Sequence, residues 1–594
     1  MTDHLEVPVA FGAVDVSTGP DDVTRIAIPT DGTRATARIA ARLERPGVVR
    51  DALLALGDVL ASDLRRKPAD RADYLRYLVA KNKRVSKEVW NAQKEYLALQ
   101  YGVAAKLDEP LGPSLTIDEA AVRIEVLSGD ESTYAQLVLK RPAAAVDPRA
   151  VAGTTGLILD RATLTAIARL RGYRPTTLEL APRDGVATTR LVPLRWLRAF
   201  GQMQAASLFT RERFELAPVD LYNVLFALRM RKAKTAPRGL RYELLPGERP
   251  RIVLEPWGQV IVGTGAPYRG ARPSVVRTWG RQRLATLARL LPHARRIEVA
   301  LAGPGLPSQY IVDLGDATLA LALSGWTDAS WAGIATFDLL ASDDDPRRVD
   351  ALVAALATPA TADELATRLG GPPTQLRPTL LAALAQLRIG HDLASGQFYA
   401  RPLAATLPSP DALRFSGPRE AAAHRIASEP AAVTITKVHD QPEGRAISGQ
   451  VVDSKAHRNF TPSFTIDREG RTIGATCTCA AFRRSGLKEG PCEHMIALRL
   501  ADVREQARRE AESATATGRE QITAETRELF RKTTAGAESY RLSLDGRDVV
   551  ARFGPSTKPR SQHLRFDSFD EARQAYFARL AELTRKGYVD ATQA

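Results

Sequence analysis

Apolar residues recur at helical spacing in some parts of this chain and alternate with polar residues in others. The runs RDALLALGDVLASDLRRK and ADYLRYLVAKNKRVSKEVWNAQKEYLALQ, within residues 34–100, have the three- and four-residue spacing of amphipathic helices. Between about residues 113 and 341, runs such as AVRIEVL and YAQLVLK predict strands, and runs such as LYNVLFALRMRK predict helices. Because no regular strand–helix–strand repeat joins them, the pattern predicts an α+β fold.

The length of the chain and changes of pattern along it predict several domains. A chain of 594 residues exceeds what one hydrophobic core usually serves. The predicted segments are a helical N-terminal region (1–110), an α+β domain of unassigned role (111–345), a domain of three helices and a hairpin (346–403), a proline-containing linker (404–419), a domain that contains every cysteine (420–500), a charged helical connector (501–535) and a small C-terminal domain (536–594).

Residues 346–403 have the clearest local pattern. Three amphipathic helices, the second with Thr361 and Glu364 spaced as a capping box, are followed by a predicted hairpin with a Ser395-Gly396 turn. This order resembles a winged helix, whose third helix reads DNA in many proteins. The exposed face predicted for that helix carries Thr374, Gln375, Arg377, Thr379 and Gln386. Since it offers a single cation, a structural or protein-contact role is as well supported as DNA reading.

Composition and charge narrow the function classes. The 83 Lys and Arg residues exceed the 68 Asp and Glu residues by fifteen, which suits a polyanionic partner and also suits an Ala- and Arg-rich composition with no such partner. No run of 18 apolar residues and no signal-peptide pattern occurs, so we expect no membrane span and a cytoplasmic protein. The chain also lacks a P-loop, a His-Glu-x-x-His motif and a Gly-x-Ser-x-Gly motif, so we expect no enzyme and no small-molecule substrate.

The three cysteines of the chain lie in one short stretch, CTCAAFRRSGLKEGPCEH. Cys477-x-Cys479 is followed after twelve residues by Cys492-x-His494. Three thiolates and one imidazole form a complete tetrahedral ligand set for Zn²⁺, with no open position for a substrate water. The other interpretations are a disulfide, a reactive cysteine and a set of buried cysteines. Number, type and clustering of the donors favour zinc as the cofactor.

The ligand pattern resembles a known family. Cys-x-Cys, a variable loop and Cys-x-His followed by the apolar helix start MIAL resemble the SWIM-type zinc finger, over about residues 420–500. The segments LEPWGQVIVGTG, RTWGRQRL, GPGLPSQYIVDLG and LALSGWTD are similar to segments of large bacterial SWIM-containing proteins. The resemblance implies a ββα finger that binds nucleic acid or protein and does no catalysis. Arg483, Arg484 and Lys488 between the ligand pairs are then either phosphate contacts or solvating residues of the loop.

The C-terminal region resembles the WGR domain, a small sheet followed by a helix, over about residues 538–590. The match is carried by strand-like runs and by the helical run that begins FDSFDEA and ends KGY. Phe553-Gly554-Pro555 stands where the family has Trp-Gly-Arg, so an aromatic face for stacking is kept and the phosphate-binding guanidinium is lost. Lys558 and Arg560 in the following loop are the candidate replacements.

Together these features predict a zinc-binding, non-catalytic scaffold that binds nucleic acid, and we expect this nucleic acid to be DNA. Phe553, Lys558 and Arg560 join the three finger cations as its predicted nucleic-acid contacts. The alternative is a protein–protein interaction adaptor in a bacterial multi-component assembly, which would use the same modules as docking surfaces.

Overall fold

The computed structural model describes most of the chain between His4 and Ala591. The residues outside this description are 1–3, 21, 35–36, 63–110, 142–149, 236, 304–305, 325–344, 405, 416, 442–443, 468–471, 488–489, 514–523, 534–535, 555–559 and 592–594.

The chain forms two units, each built from two separate stretches. Unit 1 consists of Met1–Ala205 and Ala341–Ser416, and unit 2 of Ala206–Leu340 and Gly417–Ala594. Both units contain helices and several sheets, so the mixed α+β, multidomain architecture is confirmed. The division differs from the consecutive segments predicted from local pattern, because each unit joins stretches that are far apart in sequence.

The first stretch of unit 1 is rich in strands. Its strands are β1 (His4–Phe11), β2 (Asp15–Thr18), β3 (Thr24–Thr30), β4 (Ile39–Leu43), β5 (Ser114–Ile117), β6 (Ala121–Leu127), β7 (Thr133–Lys140), β8 (Gly153–Gly156), β9 (Thr176–Pro182) and β10 (Val186–Pro193). Its helices are α1 (Pro46–Ala61), α2 (Arg161–Ala168) and α3 (Leu194–Ala205). The strands form a β1–β10 pair, a sheet of order β2-β3-β9-β4 and an antiparallel run β8-β5-β6-β7.

The N-terminal region differs from the predicted helical segment. Among the described residues of 4–61, α1 is the one helix, and the described part of 4–43 contains four strands. The second predicted helical run lies outside the described residues. The partners of these strands explain the difference. β1 pairs with β10, and β3 pairs in parallel with β9, each well over a hundred residues later. Pairing at that distance leaves no signal in a local window of sequence.

The second stretch of unit 1 contains the predicted helices and hairpin. These are α5 (Pro346–Ala355), α6 (Ala362–Leu369), α7 (Pro373–Ala385), β19 (Ile389–His391) and β20 (Phe398–Ala400), followed by α8 (Pro410–Arg414). The capping box is confirmed: Glu364 N donates to Thr361 Oγ1, and Thr361 N donates to Glu364 Oε2. Whether this arrangement is a winged helix in the family sense stays a prediction.

The hairpin β19–β20 is buried inside unit 1. Phe398 and Tyr399 are each 2% exposed, and Gln136 of β7 donates to the His391 carbonyl and to the Tyr399 hydroxyl. On α7, Thr379 is buried, so its placement on an exposed recognition face was wrong: the helix packs apolar side chains on more than one side. These contacts favour the structural role for this segment, because a DNA-reading wing and helix need exposed polar groups.

One buried arginine ties the two stretches of unit 1 together. Arg401 is fully buried, and its Nε lies 3.2 Å from Oε2 of Glu125 on β6. Tyr134 OH donates to Glu125 Oε1 at 2.8 Å, and Arg401 donates to Gln204 Oε1 at 2.6 Å. Burial of an unpaired guanidinium is costly, so the hairpin segment is stable only where Glu125 lies opposite it.

Unit 2 begins with a short 3₁₀ helix (Ala206–Phe209) and contains three groups of elements. The first group comprises β11 (Glu212–Leu216), α4 (Pro218–Met230), β12 (Leu240–Leu244), β13 (Arg251–Leu254), β14 (Gln259–Val262), β15 (Ser274–Thr278), a 3₁₀ helix (Arg281–Arg289), β16 (Arg296–Leu301), β17 (Ser308–Asp313) and β18 (Ala317–Leu323). Its strands are ordered β14-β13-β12-β15 and β11-β16-β17-β18, all antiparallel.

The second group contains the four candidate metal ligands and is called the finger group, although its membership of the SWIM-type family stays a prediction, and the third group contains the C-terminal sheet. The finger group is α9 (Pro418–Ser428), β21 (Val433–Gln441), β22 (Gly444–Asp453), β23 (Arg458–Phe460), β24 (Ser463–Asp467), β25 (Thr472–Thr476), α10 (Ala480–Ser485) and α11 (Glu493–Ser513). The C-terminal group is β26 (Ala524–Thr533), β27 (Gly536–Asp545), β28 (Asp548–Gly554), β29 (Arg560–Arg565), α12 (Phe569–Arg585) and β30 (Val589–Asp590), with sheet order β29-β28-β27-β26-β30. Within the described ranges, no helix combines the length and apolarity needed to cross a bilayer.

The predicted charged connector 501–535 is only partly helical. α11 ends at Ser513, and Ala524–Thr533 forms strand β26, which pairs along its whole length with β27. The charges of β26 that suggested a solvated helix are in part buried: Glu525 is 1% exposed and Arg527 is 7% exposed. The two residues pair with each other, and their further partners include Arg251 and Glu248 in the first group of unit 2, so the local charge pattern is misleading.

Buried ion pairs join β26 to β12 and β13. Arg251 of β13 is 1% exposed, with Nη2 3.6 Å from Glu525 Oε1 and Nε 3.7 Å from Glu243 Oε2. Arg527 donates to Glu525 Oε1 at 2.6 Å, and the backbone N–H of Thr526 donates to Glu243 Oε2 at 2.8 Å. These carboxylates therefore neutralise guanidinium groups that come from both segments.

We expect Glu525→Gln to destabilise the C-terminal sheet strongly. Removing one charge of a buried pair leaves the other uncompensated, which costs about 3–5 kcal/mol. The free energy of opening, measured by hydrogen exchange of the β26 and β27 amides, should fall by that order. Glu538→Gln, which removes the half-exposed partner of Arg531, is the matched control and should change opening far less. Equal effects of the two substitutions would contradict the assigned role of Glu525.

Candidate metal centre

The first ligand pair lies between β25 and α10. Cys477 directly follows the last residue of β25, and Cys479 is the N-cap residue of α10. Phe482 N donates to Cys479 Sγ at 3.3 Å, so the sulfur lies at the positive end of the helix. The backbone bend between strand and helix turns both sulfurs of Cys477-x-Cys479 toward the same point.

The second pair lies at the start of α11. The backbone N–H groups of Met495 and Ile496 both donate to the Cys492 carbonyl at 3.1 Å, so the helix begins immediately after this residue. His494 is in its first turn. Gly490 has φ +84°, a conformation that favours glycine, and it produces the turn that returns the chain to the first pair.

The four side chains converge on one buried point. One donor atom from each of Cys477, Cys479, Cys492 and His494 lies within 4.8 Å of all the others. All four residues are buried, and the cysteines form no disulfide. Bonds of about 2.3 Å from a tetrahedral ion would place sulfurs about 3.8 Å apart, so a small contraction of the cluster would complete the coordination. The cluster could therefore hold a metal ion.

The protonation of the thiols fits the same interpretation. A hydrogen bond with Cys477, together with burial, raises the pKa of Cys492 to about 12. Burial also raises the pKa of Cys479 above its usual value. Without a compensating cation these thiols stay protonated and unreactive near neutral pH, and a bound ion would release their protons.

The environment of the His494 ring is a further observation that fits a metal ligand. Its ring is 2% exposed, and neither Nδ1 nor Nε2 has a hydrogen-bond partner among the described residues. Asp453 Oδ2 lies 3.8 Å from Nε2, and Glu493 Oε1 lies 3.8 Å from Nδ1. A buried imidazole with two unsatisfied nitrogens is unfavourable unless one nitrogen binds a metal and the other meets an acceptor.

Two residues that the sequence analysis did not predict lie next to the His494 ring. The Phe460 ring packs against the imidazole with centroids 3.9 Å apart. Burial opposes ionisation of Asp453, but its hydrogen bond from Arg425 of α9 keeps the pKa of this carboxyl below the ordinary value. Asp453 ends β22 and Phe460 ends β23, so neither belongs to the ligand motif and no sequence spacing marks them.

The predicted nucleic-acid contacts fall in two places. Arg483 and Arg484 are exposed on α10, within five residues of Cys479, while Lys488 lies outside the described residues. Arg560 is exposed at the start of edge strand β29, and Lys558 also lies outside the description. Phe553 is half-buried, and its ring stacks on Tyr540 with centroids 5.4 Å apart, so one ring face is occupied by the protein.

An arginine-lined cleft lies between the finger and the C-terminal sheet. Its volume is about 390 Å³. Its charged lining consists of Arg277, Arg445, Arg499, Arg547, Arg565, Asp467, Asp545 and Asp548. Arg445 and Arg499 both bind Asp502 of α11, at 2.8 and 2.5 Å, and Arg547 donates to the Asp567 carbonyl. Arg277 pairs with Glu255 and with Asp545, so the five guanidinium groups are accompanied by three carboxylates of the lining and by Asp502 and Glu255 beside it.

Sequence reasoning missed this cleft because its arginines come from five different elements or turns. Arg445 lies on β22, Arg499 on α11 and Arg565 on β29, and none belongs to a local cluster of cations. The only signal available beforehand was the overall excess of fifteen positive charges.

Comparisons with known proteins do not assign the chain to a family. No protein-family profile matches it, and no curated protein matches it. Among solved structures, the crystal structure of proliferating cellular nuclear antigen from Entamoeba histolytica aligns with 49% of this chain and 99% of its own, at 7% sequence identity and a TM-score of 0.30. A TM-score this low does not establish a common fold.

We expect purified, reduced protein to contain one metal ion per chain and the double variant Cys492→Ser, His494→Ala to contain none. Loss of two of four ligands removes the tetrahedral set, and the finger should open locally because the metal helps to fold it. Elemental analysis measures the first effect and hydrogen exchange over β24, β25 and α11 the second. Arg484→Ala, an exposed position beside the cluster, is the control. Unchanged metal content in the double variant would refute the site.

We also expect Asp453→Asn to weaken metal binding by about tenfold, because acceptors that orient a ligating histidine contribute on that order. Chelator competition on the full chain measures the affinity. Glu493→Gln serves as the comparison, since this carboxylate lies equally near the ring but is more exposed. A larger loss for Glu493→Gln than for Asp453→Asn would show that the wrong carboxylate has been identified.

Proposed function

We propose that this protein is a zinc-binding, non-catalytic scaffold that binds nucleic acid, and that the nucleic acid is DNA. Zinc is the ion that three thiolates and one imidazole favour, and such a set leaves no position for a substrate water. In this proposal the residues Cys477, Cys479, Cys492 and His494 hold Zn²⁺, as in the SWIM-type finger that their spacing resembles. The ion stabilises the finger, and the chemistry of binding belongs to the surrounding arginines.

The observation that carries the nucleic-acid part is the arginine-lined cleft. Phosphate oxygens are bound most often by arginine and lysine side chains in protein–nucleic acid complexes. Arg565 pairs only loosely with Asp548, at 3.5 Å, and Arg547 meets a neutral carbonyl, so both can turn toward a phosphate without leaving a tight ion pair. A phosphodiester backbone in the cleft would thus replace weak protein contacts by strong charge-assisted ones.

Exposed cations outside the cleft are further candidate phosphate contacts in this proposal. Arg483 and Arg484 belong to the finger, and Arg560 belongs to β29 of the C-terminal sheet. With Lys488 and Lys558 they would neutralise phosphates, while the remaining face of Phe553 would accept a sugar or base. This is the binding mode that the WGR resemblance implies, with the guanidinium of the family motif supplied from other positions.

A protein–protein adaptor is the second candidate function. The burial of hairpin β19–β20 favours it, because this segment is then an internal support of unit 1 and contributes no DNA-reading wing. The two functions differ in their dependence on salt, since only contacts with a polyanion release condensed counterions.

We expect a short labelled DNA duplex to bind the full chain with an affinity that falls steeply as salt is added. The double variant Arg547→Ala, Arg565→Ala should weaken binding and should reduce the slope of log K against log salt by about 2, one for each lost phosphate contact. Fluorescence anisotropy at several salt concentrations measures both quantities. Lys558→Ala with Arg560→Ala should act in the same direction.

The matched control removes two cations from the same module at another place. Arg585→Ala with Lys586→Ala changes the end of α12, which packs on the C-terminal sheet through Ala572 and Tyr576, and neither substituted residue lines the cleft. This variant should keep the affinity and the slope. If duplex, single-stranded DNA and RNA probes all fail to bind at low salt, the nucleic-acid proposal is wrong and the adaptor function is favoured.

A further inference from the structure

Helix α4 is fixed to unit 2 by its inner face and its first turn. Leu221, Val224 and Ala227 are buried on that face. Asp220 is fully buried, and it accepts hydrogen bonds from Ala217 N and from both N and Oγ1 of Thr264, at 2.8–3.0 Å. These bonds connect the start of α4 to the segment after β14. The orientation of the outer face is therefore set by the fold.

That outer face carries a continuous apolar stripe. Val219, Tyr222, Phe226 and Met230 are 51%, 56%, 54% and 68% exposed, and their spacing of three, four and four residues places them along one side of the helix. The Tyr222 and Phe226 rings stack with centroids 6.3 Å apart. At 1.5 Å per residue the stripe is about 16 Å long.

The stripe is the one place in the described residues where strongly exposed large apolar side chains share an element. Each of the other such side chains lies on a different element or loop, as Val186 does on β10 and Ile473 on β25. Single exposed apolar residues are ordinary, but a contiguous row indicates a surface that binds something.

Cations follow the stripe at its C-terminal end. Arg229, Arg231, Lys232 and Lys234 are exposed, and the sequence has no Asp or Glu between Leu221 and Tyr242. The surface is thus apolar along its length and positively charged at one end. Its complement is a partner with an apolar face and acidic residues at the corresponding end.

We propose that α4 docks an acidic amphipathic helix of a partner protein. Helix-on-helix docking uses apolar side chains at the three- and four-residue spacing that the stripe presents. A lipid surface is less well matched, because membrane-bound helices are rich in Lys and Arg over the polar face, whereas here the cations cluster at one end. A single strand of nucleic acid is also less well matched, since Tyr222 and Phe226 stack on each other and Val219 and Met230 offer no ring to a base. This site is independent of the metal centre and of the arginine-lined cleft.

The test uses a synthetic helical peptide of about 20 residues, with leucines at three- and four-residue spacing on one face and glutamates at one end. We expect it to bind the full chain, and we expect Tyr222→Ser with Phe226→Ser to weaken that binding by at least about tenfold. Tyr173→Ser with Val186→Ser, which alters two apolar side chains that are each 82% exposed elsewhere, is the matched control and should bind as the wild type. Metal content and hydrogen exchange confirm that each variant is folded.

Charge reversal provides the second arm. Lys232→Glu with Lys234→Glu should reduce binding of the glutamate peptide and increase binding of the same peptide with lysines in place of the glutamates. Parallel assays use phosphatidylcholine–phosphatidylserine vesicles, an oligo(dT) strand and sedimentation of the protein alone. The proposal is overturned if the peptide does not bind, if the stripe variant binds it as well as the control does, or if the stripe variant instead abolishes vesicle binding, oligo(dT) binding or self-association.

Discussion

Burial of guanidinium groups is the constraint that joins distant parts of each unit. In unit 1 Arg401 is fully buried against Glu125, and in unit 2 Arg251 is 1% exposed between Glu243 and Glu525. The low-dielectric interior penalises a lone charge severely and accepts a pair only when the geometry is right. Each arginine therefore specifies which segment packs on it. The hairpin β19–β20 and the strand β26 take their places because their neighbours supply the opposite charge.

The candidate metal centre would also join separate elements, within the finger group alone. The finger sheet has a limited apolar core, in which Ala423 and Ile426 of α9 meet Ile496 and Leu500 of α11. The cysteine end of α11 has a separate small cluster with Met495 and Phe460. An ion at the convergence point of the four donors would connect β25, α10 and α11 where few apolar contacts do so. Small modules of this kind commonly obtain part of their folding free energy from a metal.

The sequence identifies features that depend on local spacing and misses those that depend on distant partners. The ligand cluster of Cys477 to His494 and the capping box of Thr361 follow from residues only a few positions apart, and the structure brings both together. Strand β26 was predicted as part of a charged helical connector. The prediction was wrong because the partners of its buried groups, Arg251 and Glu243, lie almost three hundred residues earlier and do not show in a local pattern. The roles of Asp453, Phe460 and the cleft arginines could not be predicted for the same reason. Each role depends on neighbours that are distant in sequence and are brought close by folding.

Helix α11 connects the metal centre with the arginine-lined cleft. Its first turn contains His494, and Arg499, Asp502 and Gln506 follow on the next turns, where Arg499 and Gln506 line the cleft. Asp502 binds Arg499 and Arg445, and so it sets the positions of both guanidinium groups. Any change that releases the start of α11 therefore also alters the spacing of the cleft arginines. A phosphate that contacts two arginines at a fixed separation would then bind less tightly, since charge-assisted contacts depend on geometry. In the proposed function, the ion would contribute to phosphate binding through the position of α11 and would not contact the phosphate.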